Sequence, residues 1–177
     1  MHPVAIAQQV RALVRDVADF PRSGIVFKDI TPILADPRLL RAAVDGMARP
    51  FAGQGIETVA GIESRGFIFG AAVALELGAG FVPVRKPGKL PHDCRRIDYQ
   101  LEYGTDSLEA HTDALAGGRR VLIVDDVLAT GGTAAAAADL MRQLGGDVAG
   151  ATFLLELTFL SGRIRLPGLT VRSLVDF

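Results

Sequence analysis

Residues 120–143, RVLIVDDVLATGGTAAAAADLMRQ, constrain the fold more than any other stretch of the chain. An apolar run of strand length meets two adjacent aspartates. A Thr-Gly-Gly-Thr turn follows, then an alanine run with Leu140 and Met141 at helical spacing. A strand that passes through a short polar turn into a helix is half of a βαβ unit. The order recurs upstream, where ETVAGIES reads as a short apolar strand, GFIFGAAVALELG as a helix closed by Gly78, and GFVPVRK as the next strand. VAGATFLLEL and TVRSLVDF read as further strands. Strands alternating with helices of about a dozen residues imply a parallel sheet covered on both faces, and near-continuous apolar strands fit such a sheet. The expected class is therefore α/β, with a central, mostly parallel sheet flanked by helices.

A length of 177 residues suits a single domain, here taken as 1–177. Apolar residues at 49% and charged residues at 22% exclude a disordered chain. A net charge of −1 provides no general basic field, so a nucleic-acid partner is not expected. Cys94 is the only cysteine, which rules out an intrachain disulfide and points to a reduced compartment. No uncharged apolar run reaches 18 residues, and the opening residues lack the pattern of a secretory signal, so the expectation is a cytoplasmic protein with no membrane partner. The histidines and the cysteine show no metal-ligand spacing, and no residue is expected to ligate a metal directly. Val4, Ala7, Val10, Leu13, Val14 and Val17 predict a first helix over residues 4–18, stopped by Pro21 and Gly24. LADPRLLRAAVDGMARPF predicts a second, with Asp36 as N-cap and Pro37 in its first turn. The long stretch after Arg85, with its Pro and Gly signals and alternating polarity, reads as an arm or hairpin.

In open parallel sheets ligands bind outside the carboxyl ends of the strands. GIESRGF and VDDVLATGGT both sit there, so both are expected to face one site. Gly131 and Gly132 let the backbone approach a ligand closely. The first amides of the following helix then form an anion site with the helix dipole behind them. No Gly-Lys-Ser/Thr ends the turn and no Gly-x-Gly-x-x-Gly is present, which excludes a P-loop and a dinucleotide fingerprint and leaves a single phosphate as the anion. Asp125 and Asp126 need other partners: vicinal hydroxyls, as on a ribose, or Mg²⁺ bridged by water. A sugar phosphate meets both demands. Solvated aspartates beside a plain glycine turn are the simpler alternative.

VLIVDDVLATGGT resembles the phosphoribosyl-pyrophosphate (PRPP) signature of the type I phosphoribosyltransferases. FPRSGIVFKDITPIL, ESRGF, RKPGKLP and LEYGTDSLEAH are similar, in order and spacing, to the adenine-specific members of that family. The resemblance covers about residues 18–165. It implies the family's α/β fold with a small hood, built mainly from the N-terminal segment, and a flexible lid arm over about residues 86–108. It implies Mg²⁺-dependent transfer of ribose 5-phosphate from PRPP to adenine, giving AMP and pyrophosphate, in a homodimer. By position, Ala129, Thr130, Gly131, Gly132 and Thr133 would hold the 5′-phosphate, and Asp125 and Asp126 the ribose hydroxyls. Glu63, Ser64 and Arg65 match the pyrophosphate loop, where the Arg65 fork suits phosphate oxygens. Arg85, Lys86 and Lys89 would stabilise the leaving pyrophosphate. Glu102 matches the catalytic glutamate, and Tyr103 would help cover the sugar, with Arg65 as a third catalytic residue. Phe27 would stack on the purine, Val26 would read its edge through the backbone, and Leu157 would face the other side of the ring; Lys28 stands where some relatives carry arginine. His92, Cys94, Arg95 and Arg96 match no assigned position.

Two other functions remain open from the sequence. The same scaffold serves xanthine, hypoxanthine or guanine enzymes. A PRPP-binding regulator without turnover is a third reading, weakened by Glu102 and by an N-terminal segment too short for a helix-turn-helix pair.

Overall fold

The computed structural model describes residues 3–100, 104–117 and 119–177. In chain order its elements are α1 (Pro3–Leu13), β1 (Arg15–Ala18), β2 (Val26–Asp29), α2 (Thr31–Ala35), α3 (Pro37–Ala48), β3 (Thr58–Ile62), α4 (Gly66–Leu77), β4 (Gly80–Val84), β5 (Cys94–Gln100), β6 (Thr105–His111), β7 (Arg120–Leu128), α5 (Gly132–Gln143), β8 (Asp147–Glu156) and β9 (Thr170–Asp176). Five strands form the central sheet in the order β4-β3-β7-β8-β9. Every pairing in it is parallel. The sheet is the α/β sheet that the alternating sequence predicts.

Period-two alternation sends neighbouring side chains to opposite faces, and both faces are buried. Val59, Leu122, Val124 and Leu154 enter a core with α1, α3 and α4. Ala60, Val121, Ile123 and Phe153 enter a second core with α5 and the β5–β6 hairpin. The alanine run serves this second layer. Ala134, Ala136, Ala137 and Ala138 are all buried, and their small side chains let α5 lie close to the sheet.

Local signals hold where they are purely local. The Asp36 side chain accepts from the amides of Arg38 at 2.8 Å and Leu39 at 3.1 Å, capping α3. Gly78 closes α4 in a left-handed conformation, φ 67°. The first helix departs from expectation. Helical spacing runs to residue 18, yet α1 ends at Leu13 and Arg15–Ala18 form β1. The reason is tertiary. β2 offers an antiparallel partner, with Val17 opposite Phe27 and Ala18 opposite Val26, and ladder hydrogen bonds along this pair replace the helical ones. The arm after Arg85 is the antiparallel hairpin β5–β6, with Ile97 opposite Leu108 and Tyr99 opposite Asp106.

The Asp36 cap is testable apart from function. Asp36→Ala should lower unfolding stability by about 1 kcal/mol, while Asp36→Ser should recover most of it. Urea denaturation measures both, and an unchanged midpoint in the alanine variant would contradict the cap.

Candidate active site

The chain reverses its direction across the sheet between β3 and β7, since β4 lies outside β3 and β8 outside β7. Such a reversal opens a crevice at the carboxyl ends of the two strands. β3 pairs with β7 only as far as Gly61 opposite Val124. β8 stays paired with β7 to Leu128 opposite Glu156. β7 therefore carries Asp125 and Asp126 past the point where one neighbour has left. The aspartates lie inside the strand, three and two residues before its end, where the sequence alone places them at its tip.

The backbone around this opening is closely fitted. A Cβ on Gly66 would stand 2.7 Å from Asp125 Oδ1 and 3.0 Å from the Val124 carbonyl oxygen, so only glycine lets the 63–66 loop press against β7 there. The Asp126 amide donates to Asp125 Oδ1 at 2.8 Å. Arg65 Nε lies 2.8 Å from Asp126 Oδ2. Asp126 is 5% exposed, and its Oδ2 has no hydrogen-bond partner of good geometry among the described residues. Asp125 keeps an edge open to the crevice. Burial of its carboxyl, followed by the charge of Asp126, pushes its pKa well above the usual carboxylate range, against the smaller pull of the Asp126 amide and Arg65. Two acids in this state are complementary to hydroxyl donors or to a cation.

The Thr-Gly-Gly-Thr turn lies next to the acids. Gly131 precedes α5 with φ 80° and no side chain caps the helix. The first intrahelical bond to Gly131 comes from the Ala135 amide at 2.9 Å, which leaves the amides of residues 132–134 without intrahelical acceptors. They face a cavity of about 80 Å³ lined by Asp125 and residues 127–134, so Ala129, Thr130, Gly131, Gly132 and Thr133 share one concave surface with Asp125. α4 also begins beside the crevice at Gly66 without a side-chain cap, Ser64 included. Two helix N-termini thus flank one opening.

The basic residues are arranged differently. The Glu63 carboxylate accepts from Arg85 Nε at 3.2 Å and the Lys86 amide at 3.0 Å, and is ion-paired with Lys89. Burial works to raise this carboxyl, but the bonds from Lys89, the Lys86 amide and Arg85 outweigh it and hold the pKa below the ordinary value. The Lys86 ammonium pairs with Asp106 and donates to the Tyr99 hydroxyl at 3.1 Å. Glu63 thus anchors the basic turn, and the cations of that turn are paired within the protein.

On the opposite side stand the apolar candidates. Phe27 packs edge to face with Phe20, their ring centroids 5.1 Å apart. The Arg65 guanidinium lies 4.7 Å from the Phe27 ring centroid, so Arg65 bridges the aromatic ring and Asp126. Val26 is exposed at the edge of the β1–β2 pair. The Lys28 ammonium is turned away, 2.6 Å from Asp16 and 4.4 Å from the Phe177 ring centroid. Leu157 follows β8, and its amide donates to the Leu128 carbonyl at 2.9 Å.

Glu102 and Tyr103 lie outside the described residues. Cys94, Arg95 and Arg96 start β5 at the end of the hairpin arm away from its turn, where Cys94 opposes His111, and His92 lies just before them. Among the described residues no cluster of three His, Cys, Asp or Glu side chains is placed to hold a metal. Asp125 and Asp126 offer hard oxygen donors that fit Mg²⁺ only through water and a ligand's own oxygens.

Two features have no assigned role in the sequence analysis. Tyr99 reaches Thr133 of the Thr-Gly-Gly-Thr turn, and its signal is the alternation of Ile97 and Tyr99 on the partly buried side of β5. Arg163 braces the loop after β8, donating to the buried Glu156 carboxylate at 2.7 Å and to the Val171 carbonyl at 2.9 Å. No local pattern marks that pair.

Comparison with known proteins identifies the family. Residues 33–156 match the Phosphoribosyl transferase domain family. The adenine phosphoribosyltransferase of Nitrosococcus oceani is 56% identical over 170 residues, covering 96% of this chain and 99% of that one. The crystal structure of the Thermoanaerobacter pseudethanolicus adenine phosphoribosyltransferase superposes with a TM-score of 0.94 at 50% identity, covering 97% of this chain and 99% of that one. The Saccharomyces cerevisiae enzyme, solved with an imino-altritol bisphosphate and adenine, gives 0.90 at 42% identity, with 97% and 99% covered. Similarity of this extent, over sequence and fold alike, means that the chain belongs to the adenine phosphoribosyltransferase family.

Proposed function

We propose that this chain is a purine salvage enzyme that transfers ribose 5-phosphate from PRPP to adenine, forming AMP and releasing pyrophosphate. One observation carries the reading: Asp125 and an uncapped glycine turn line a single cavity, with the buried Asp126 next to Asp125 in the strand, a set of groups suited to the diol and the 5′-phosphate of one sugar. Asp125 and Asp126 accept from the ribose hydroxyls, which relieves the repulsion between them. The 129–133 turn holds the 5′-phosphate through its amides and the Thr130 and Thr133 hydroxyls. Arg65, on the rim, turns from Asp126 toward pyrophosphate oxygens.

The β1–β2 pair acts as the hood. Phe27 stacks on adenine, the Val26 backbone reads its exocyclic amine, and Leu157 covers the other ring face. The β5–β6 arm acts as the lid that excludes water from the reacting carbon. As N9 forms its bond to C1′ and the C1′–oxygen bond to pyrophosphate breaks, the proton on N7 passes to Glu102. Arg85, Lys86 and Lys89 screen the charge that develops on the leaving group. Mg²⁺ would be held mainly through PRPP and water, with Asp125 and Asp126 as nearby acceptors for that water, and would supply charge neutralisation on pyrophosphate.

A homodimer in the cytoplasm completes the reading. Ile68 and Leu75 on the outer side of α4 are exposed apolar residues of the kind a partner chain covers. No helix of the described residues is long and apolar enough to cross a membrane.

The purified protein should form AMP and pyrophosphate from adenine and PRPP with Mg²⁺, and lose that activity in EDTA; no AMP with Mg²⁺, or full activity in chelator, would contradict the corresponding claim. Asp126→Asn should weaken PRPP binding roughly ten- to hundredfold, because a charge-assisted bond is lost. Asp125→Asn should weaken PRPP binding too, yet raise the thermal midpoint of the ligand-free protein. With the folded pKa above the unfolded one, the cost of charging Asp125 is absent below about pH 4, the unfolded value, and grows as pH rises toward the folded one. The gain in midpoint should therefore be larger at pH 7 than at pH 4, and a destabilised variant at pH 7 would overturn the assignment. Glu102→Ala should lower kcat by about 10²- to 10⁴-fold with a smaller effect on PRPP affinity; wild-type turnover would remove Glu102 from the reaction.

A further inference from the structure

Tyr99 stands where the hairpin arm meets the phosphate turn, beside Gln100, whose carbonyl oxygen would lie 3.5 Å from a Cβ on Gly132. Its hydroxyl is 3.2 Å from Thr133 Oγ1, 3.1 Å from Lys86 Nζ and 3.3 Å from Asp106 Oδ2. The ring is partly buried against the α5 side of the sheet. A Cβ on Gly132 would lie 3.9 Å from Tyr99 Cδ2, which sets the ring over the turn itself. Thr133 lines the cavity.

Proton counting limits what this cluster can do. Lys86 only donates, so the Tyr99 oxygen accepts from it. Tyr99 has one proton of its own, and Asp106 and Thr133 compete for it. If Asp106 takes it, the Thr133 proton is free to turn back toward Tyr99. If Thr133 takes it, the Thr133 proton is directed into the cavity. A phosphate oxygen can only accept, so a phosphate in the cavity favours the second arrangement. The bonds then run in one direction, from Lys86 to Tyr99, to Thr133, to the ligand, and each polarises the next.

We propose that Tyr99 is a positioning residue of the phosphate site: its hydroxyl, held by Lys86, donates to Thr133 and aims the Thr133 proton at the ligand phosphate. The inference rests on the reading above that residues 129–133 bind the 5′-phosphate. It gives Lys86 a function different from direct contact with pyrophosphate, and it makes phosphate binding depend on docking of the hairpin arm.

Calorimetric titration of AMP and of adenosine into the full-length protein tests it. Tyr99→Phe keeps the ring and removes the hydroxyl. AMP affinity should fall about three- to tenfold, the usual range for one hydrogen bond, and adenosine affinity should not change. Thr133→Val should also weaken AMP, and adding Tyr99→Phe to it should cost nothing more, because the link to the ligand is already cut. Wild-type AMP affinity in Tyr99→Phe, an equal loss for adenosine, or additive losses in the double variant would each overturn the proposal. Should the wild-type protein bind AMP no more tightly than adenosine, the phosphate reading itself fails, an outcome distinct from the other three.

Discussion

The site depends on where two strands part company. β3 stops pairing with β7 after Val124, while β8 continues to Leu128. That one-sided release frees an edge of β7 at Asp125 and Asp126 without unravelling the strand. Acids inside a buried parallel strand are otherwise costly, since each carboxylate loses water and repels its neighbour. Here the strand supplies rigidity and the crevice supplies access. The uncapped start of α5 lies beside the acids because a short turn leaves the helix no room to begin elsewhere. Acid groups and free helix amides, which suit the two ends of a sugar phosphate, therefore sit on one βα unit.

Around that unit the charges are sorted. The cations of the basic turn are paired with Glu63 and Asp106, which fixes the turn against the hairpin arm. Arg65 has a different partner. It spans Asp126 and the face of Phe27, contacts that link the acid pair to the aromatic wall. A guanidinium in that position stabilises the buried charge of Asp126 and remains close enough to meet an incoming anion. Arg163 serves a different end: its bonds to Glu156 and Val171 secure the loop that follows β8.

Much of this was legible in the residues. The α3 cap, the left-handed close of α4, the central strands and the alanine helix all follow from local rules acting over a few positions. The apolar strands, continuous rather than alternating, announced a sheet buried on both faces. Residues 15–18 were not legible, because Val14 and Val17 satisfy a helix and a strand equally well and the choice is settled by pairing with β2, at Val26–Asp29. Tyr99 gave only the alternation of a half-buried strand. Its contact with Thr133 joins positions 34 residues apart, beyond any periodic signal.

The sequence by itself determined the class of fold, the βα units, and the chemistry concentrated in Asp125, Asp126 and the turn that follows, since these depend on residue type and short-range spacing. Only the tertiary structure decided which edge of β7 is open, that the basic turn is paired with Glu63 and Asp106, and that the hairpin arm touches the Thr-Gly-Gly-Thr turn through Tyr99. The physical reason is that these are contacts between elements, and their energies come from partners that no window of neighbouring residues contains.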